Sequence, residues 1–277
     1  MTRLLRCDLY RLTKNRILPV CVFLAFVCTA AGVYFNASST AAVDAEDMLT
    51  LEEIHFSYMP LLPTLFAVFT SLFFGTEYSD HTIRNKLITG STRASVYFSS
   101  LLTAAFCNLL ITAAWFAGGL TGIGLCGVWT LSAADMARYL SVICFAVLAY
   151  TAVLTFLFML CDNRALNVVL SLAAVGVIVL CGSILYQALS EDEFTQAAYF
   201  YDGTDFVWQE SEPNPHYIGG GLRVLLKAVF YLLPGGQAIL AANIEITEPL
   251  IMCLFSALLF VFVTAAGITV FRKKDIK

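Results

Sequence analysis

Long apolar stretches alternate with short polar ones along the chain, on a scale far longer than one helical turn. Six apolar runs, at roughly 17–36, 56–75, 95–119, 138–160, 165–189 and 249–271, are each near 20 residues long. A helix of that length crosses a hydrocarbon layer about 30 Å thick. The pattern predicts an all-α integral membrane protein, with six transmembrane helices in one domain over residues 1–277. A further apolar stretch, 222–233, is too short to span and ends at Pro234-Gly235-Gly236, after which QAILAANI supplies a second short piece. Two short segments meeting at a break fit re-entrant outer helices, whose backbone must be shielded by protein or a water-filled cavity. A single helix lying flat on the outer surface is the alternative.

Composition and charge give the spans a direction. The chain is 59% hydrophobic and 13% charged, with a mean hydropathy of +0.80, whereas soluble domains carry about 25% charged residues. Lys and Arg favour the cytoplasmic side. With both termini inside, 13 of the 16 basic residues fall there, and only Arg138, Arg223 and Lys227 fall outside. A seventh span would expel the tail FRKKDIK, so a multi-pass plasma-membrane protein with cytoplasmic termini is expected. Of the 20 acidic residues, 15 fall on the outer side, in the loop 37–55, at Asp135 and in the segment 190–248. They form either an acidic vestibule that concentrates cations or plain solvated loops. The first outer loop reads as solvated, partly helical and without chemistry.

Residues 2–16, TRLLRCDLYRLTKNR, place Leu5, Leu9 and Leu12 on one helical face with cations around them. This suits an interfacial helix over 1–16, or else an unstructured basic anchor. The apolar run that follows exceeds the 7–15 residues of a cleavable leader, so a retained anchor is expected. Gly118 and Gly122 form GxxxG, which seats a neighbouring helix closely or marks a flexible turn. Nine cysteines are scattered without a CxxC pair, so neither a disulfide framework nor a metal site is expected.

Several chemistries lack their residues. There is no GxxxxGK[ST] and no HExxH, and the only histidines, His55, His81 and His216, fall near or beyond the membrane boundary. No acidic residue occupies the centre of a span, as proton-driven carriers usually require. Asn108, the clearest mid-span amide, reads as an interhelical hydrogen bond or a path-lining group. No catalytic residue is expected in this chain.

What remains is the polar stretch FFGTEYSDHTIRNKLITGSTRAS between the second and third runs. Gly75 is expected to end the second span. Thr76, Glu77, Ser79 and Asp80 can cap a short helix, Ile83, Leu87 and Ile88 give it an apolar side towards the membrane, and Arg84, Asn85 and Lys86 point away. Gly90 stops it, and Arg93 anchors the third span. Such a helix, fused to two spans, is a lever for a soluble partner, although an ordinary connector has the same pattern.

The stretch GTEYSDHTIRNKLITGSTRASVYFSSLL resembles the second-to-third-span connection of type-2 ABC transporter permeases, with Gly75, Glu77, Thr82, Ile83, Arg84 and Arg93 matching and His81 where that family usually has Gly. The basic N-terminal helix, the six spans and LPGGQA before the last span are similar as well. The resemblance implies a permease subunit whose coupling helix, 76–93, docks a separate ABC ATPase through Glu77, Tyr78, Asp80, Thr82, Ile83, Arg84, Lys86 and Arg93. ATP and Mg would bind that partner, and this chain would hold no cofactor. It further implies a second permease copy, identical or not, and a translocation path lined from the second and fifth spans, with Phe69, Phe73 and Asn167 as candidates. The outer gate would comprise Arg223, Lys227, Tyr231, Pro234 and Gly235. Single-domain members of this kind resemble bacterial exporters and immunity permeases, so antimicrobial peptides, lantibiotics or other amphipathic or cationic peptides are the expected cargo, alongside membrane lipid and with no nucleic acid. A non-transporting sensor or scaffold that binds its partner through 76–93 is the competing expectation.

Overall fold

A computed structural model describes residues 2–40, 50–80, 82–127, 129–195, 198–201, 206–209 and 211–274. His81 and the acidic positions 44, 46, 47, 202, 205 and 210 lie outside the described residues. Among the described residues, six helices are long and apolar enough to cross a membrane, spanning Ile17–Ser38, Leu51–Tyr78, Arg93–Cys126, Ala133–Leu160, Arg164–Ser190 and Pro249–Lys273. The chain is a multi-pass, essentially all-α membrane protein. All six coincide with the apolar runs.

The chain opens with α1 (Thr2–Thr13) and α2 (Ile17–Thr40). A short α3 (Leu51–Phe56) and a 3₁₀ turn (Met59–Leu61) lead into α4 (Leu62–Ser79). The connector helix α5 (Thr82–Ile88) joins it to α6 (Arg93–Cys126), followed by α7 (Ala133–Leu160) and α8 (Arg164–Ser190). A small antiparallel hairpin, β1 (Ala198–Tyr201) with β2 (Phe206–Gln209), precedes α9 (Gly220–Leu232), α10 (Pro234–Ala242) and α11 (Pro249–Lys273). The hairpin was not foreseen. Its segments, AYFY and FVWQ, are rich in the aromatic and β-branched types that strands favour.

Packing follows small residues and buried polar pairs, because lipid supplies no hydrophobic drive between helices. The most extensive packing is of α2 along α6, with α11 along α7 and both α4 and α10 against α8. A Cβ at Gly118 would lie 2.3 Å from the Phe26 carbonyl oxygen, and one at Gly122 2.9 Å from that of Ala30. GxxxG is therefore a packing seam within a continuous helix, not a turn. Asn108 donates to the Thr151 hydroxyl at 2.9 Å, joining α6 to α7 as the interhelical reading required.

Three boundaries differ from expectation. α4 runs past Gly75 to Ser79, because Gly75 packs against the side chain of Arg164 instead of breaking the helix. α1 is helical, but its inward face carries Asp8 and Leu12 while Leu9 is exposed. The first outer loop is not simply solvated. Thr50 and Glu53 form a reciprocal capping box that starts α3. Within α3, Glu52 and His55 are buried. Glu52 accepts from the Thr130 hydroxyl at 2.7 Å and the Leu131 amide at 3.2 Å, pinning α3 to the loop between α6 and α7.

Candidate coupling site

At the connector end of the bundle, four charged side chains from α1, α4 and α5 converge beneath α6. Asp8 and Glu77 are fully buried, and Lys86 is 8% exposed. The Lys86 ammonium donates to Asp8 Oδ1 at 2.7 Å and to Glu77 Oε1 and Oε2 at 3.0 and 3.2 Å. Arg11 pairs with Glu77 Oε1 and reaches the Thr76 hydroxyl at 3.3 Å. Its guanidinium lies 5.2 Å from the centre of the Phe73 ring. Ser99 of α6 donates to the other Asp8 oxygen at 2.6 Å, and the Thr82 hydroxyl donates to the Glu77 carbonyl at 2.9 Å.

Two acids and two bases make the cluster neutral. A buried charge is tolerable only when paired and hydrogen-bonded, and each of these has at least two partners. Burial pulls the Lys86 pKa down, but the charges of Glu77 and Asp8 and the hydrogen bonds to them outweigh it, so the ammonium is held above the ordinary lysine range.

This geometry corrects the expected outward face of the connector. Glu77 and Lys86, both assigned to partner docking, face inward and have no surface to offer. Ile88, expected to point towards the membrane, lies on the outer surface of the chain, 72% exposed, as that expectation requires. Arg84 and Asn85 are exposed, one turn before Ile88 on the same face of α5, and Asp80 is exposed just ahead of it. Ile83 is buried and Thr82 half-buried. The helix stops at Gly90, whose φ is 89°.

Arg93 and Tyr78 are committed to the same end of the bundle by other bonds. Arg93 donates to the carbonyls of Phe271 and Arg272, each at 3.1 Å, and to that of Lys274, capping the C-terminus of α11. Tyr78 donates to the Met159 carbonyl at 2.8 Å. Lys274 donates to the Met159 and Leu160 carbonyls at 3.0 Å each and pairs with Asp162, so this one cation closes the open end of α7.

Phe69, Phe73 and Asn167 are buried within the chain and line no open face of it. Phe69 and Phe73 stack with ring centres 5.4 Å apart, and the Asn167 side-chain oxygen accepts from Ser171 at 3.3 Å. The expected gate residues do gather, at the far end of the bundle. α9 and α10 meet at a 90° bend, with Pro234 opening α10. A Cβ at Gly235 would lie 2.4 Å from the Ile178 carbonyl oxygen of α8. Tyr231, Pro234 and Gly235 are buried. Arg223 donates to the Leu189 carbonyl at 2.7 Å, and Lys227 pairs with Glu248 at 3.3 Å.

Sequence reasoning missed two residues that organise these ends. Asp8 is the lone acid in a basic helix, set between Leu5 and Leu12 on one face, and that misplacement was the available signal. Gln237, 1% exposed, donates to the Tyr231 and Met252 carbonyls at 2.6 and 3.0 Å and accepts from Ser256 at 2.9 Å. An amide inside QAILAANI was its only mark.

Six spans, a basic helix latched to a short connector and a bent helix pair before the last span define a polytopic membrane protein. A match to the family described as ABC-2 family transporter protein covers residues 4–188. The chain belongs to that family. The matched region, about two thirds of the chain, holds α1 through most of α8, including the whole connector. No curated protein matches the chain. It is thus a membrane permease of an ABC transporter, and membership implies an ABC ATPase partner in general.

Proposed function

We propose that α5 is the coupling helix of an ATP-driven exporter and that the partner ATPase seats on the exposed face formed by Arg84, Asn85 and Ile88. The supporting observation is Ile88, a large aliphatic side chain left 72% exposed beside a cation, on a seven-residue helix fused to two spans. Interface anchors are apolar groups or Arg in a desolvated centre. The buried cluster then transmits the force: α1, α4 and α5 share one neutral knot, so a push on α5 moves the foot of the second span and the N-terminal helix together. Both termini and the connector lie in the cytoplasm on this reading, supported by the distribution of Lys and Arg. ATP and Mg belong to the partner, which performs hydrolysis.

The permease works as two copies around a path between them. Exposed faces, foremost that of α8, are better placed to line it than the buried Phe69, Phe73 and Asn167. The cargo is an amphipathic or cationic peptide carried outward, a class supported by the acidic segment 190–248.

Co-purification of the tagged chain from its own cells tests the docking face. Ile88→Asp and Arg84→Glu are expected to lose a P-loop ATPase that the unaltered chain retains, while the variants still elute as monodisperse membrane protein. Retention of the ATPase by both variants would move docking elsewhere. If the unaltered chain holds no ATPase while other membrane complexes stay intact, the sensor or scaffold reading replaces transport.

A further inference from the structure

Beside the bent helix pair, at the end of the bundle opposite the connector, lies an open cavity of about 260 Å³. Its walls include Tyr186 at the end of α8, Arg223, Lys227, Phe230 and Tyr231 of α9, and Glu245 from the turn after α10. Cations therefore stand on one wall and a carboxylate on another. Tyr186 donates to Glu245 Oε2 at 3.0 Å, which fixes where the carboxylate points. The residue before it, Ile244, holds a φ of 55°, a conformation that β-branched side chains rarely adopt. The backbone thus enters Glu245 through a strained turn. Lys227 is already paired with Glu248, so among the described lining residues the charges left for a ligand are Arg223 and Glu245, one of each sign.

The helix that carries the cations has two unlike faces. Arg223, Lys227, Phe230 and Tyr231 follow at i, i+4, i+7 and i+8 and line the cavity. Leu222, Leu225 and Val229 point the opposite way and are exposed. An amphipathic helix with bare aliphatic groups on one side and cations on the other lies at the boundary between acyl chains and headgroups. That placement opens the cavity at headgroup depth, beside an apolar surface that lipid tails can cover.

We propose that this cavity is a binding site for a phospholipid headgroup bearing both a phosphate and a primary amine, with the phosphate on Arg223 and the amine on Glu245. A guanidinium donates to phosphate oxygens with charge-assisted strength, and an ammonium supplies donors that a carboxylate accepts. A headgroup lacking the amine would leave Glu245 facing an anion. Occupancy would join α8, α9 and the turn after α10 through one ligand. The site is independent of how the ATPase docks.

Native mass spectrometry of the delipidated full-length chain tests this, with titration of phosphatidylethanolamine, phosphatidylglycerol and inorganic phosphate. The amine lipid is expected to bind about tenfold more tightly than the glycerol lipid, the worth of one hydrogen bond to a charged group. Glu245→Gln should abolish that preference, and Arg223→Gln should weaken both lipids. Arg223 also caps α8, so its result counts only where helicity and monodispersity are preserved. If Glu245→Gln fails to fold, Tyr186→Phe, which removes only the hydroxyl that orients the carboxylate, should reduce the preference severalfold. Equal binding of both lipids by the unaltered chain overturns the proposal, as does a preference that survives a folded Glu245→Gln or, where that variant fails to fold, Tyr186→Phe. Displacement of the lipid by inorganic phosphate at equal concentration would assign Arg223 to free phosphate and overturn the headgroup assignment.

Discussion

The two ends of this permease hold their short helices in opposite ways. At the connector end, four charged side chains from three helices converge, with Asp8, Glu77 and Lys86 buried and Arg11 partly buried, and each depends on the others. At the far end, α9 and α10 are held by backbone carbonyls and one amide: Arg223 on Leu189, and Gln237 on Tyr231 and Met252. The charged pair there, Lys227 with Glu248, is half in solvent. A buried ionic knot resists piecemeal opening, since removing one member strands its partners. Backbone-anchored helices beside an open cavity can shift in smaller steps. The connector end is suited to transmitting a displacement whole, and the far end to yielding to it.

The largest break in that comparison should come from Lys86→Met. It leaves Asp8 and Glu77 buried with only Arg11 between them, and loss of about 3–5 kcal/mol is expected. Thermal unfolding in detergent measures it. Asp8→Asn combined with Lys86→Met removes one charge of each sign and should recover part of the loss. Recovery below the error of the measurement would mean that the four charges do not act as one unit. Alkaline titration sharpens the point. The folded pKa of Lys86 is raised above its unfolded value of about 10.4. Its stabilisation is fully present below that unfolded value and disappears as pH rises through the folded one. The stability gap between the unaltered chain and Lys86→Met should therefore be flat from pH 7 to about 10 and narrow only above that.

A smaller effect is expected from Gln237→Leu at the far end. The substitution keeps most of the volume but leaves two carbonyls and the Ser256 hydroxyl without their partner, a loss of about 1–3 kcal/mol. Hydrogen exchange should rise across α9 and α10 and leave α5 unchanged. Exchange that rises equally at both ends would show that the two regions are coupled more tightly than their separate anchors suggest.

Much of this architecture was legible because membrane spans announce themselves by length and apolarity. Six runs gave six helices. The connector was legible as a place, from its charges, but not in orientation. On a seven-residue helix every residue sits within one turn of a neighbour of opposite character, and Lys86 differs from Arg84 only in what α1 brings to it. That partner, Asp8, is 78 residues away, beyond any local pattern. Gln237 was illegible for the same reason, since its three partners come from α9 and α11. Phe69 and Phe73 were assigned to a path by analogy, whereas a phenylalanine in a span reads the same whether it faces a channel, lipid or another helix. Gly75 misled because a helix tolerates glycine wherever a neighbour, here Arg164, packs against it.

The smallest expected effect is at the Lys227–Glu248 pair, and it tests whether exposure, more than charge, separates the two ends. The Lys227 side chain is 49% exposed and that of Glu248 39%, so solvent screens the attraction and holding the long lysine chain costs entropy. Exposed pairs of this kind contribute little. A double-mutant cycle through Lys227→Met and Glu248→Gln should return a small coupling energy, falling further as salt shortens the Debye length below about 8 Å. The same cycle through Lys86→Met and Asp8→Asn should return several times that value and hardly respond to salt. A far-end coupling as large and as salt-resistant as that of Lys86 would mean that the rim of the cavity is desolvated in the membrane, and that both ends are held by buried charge.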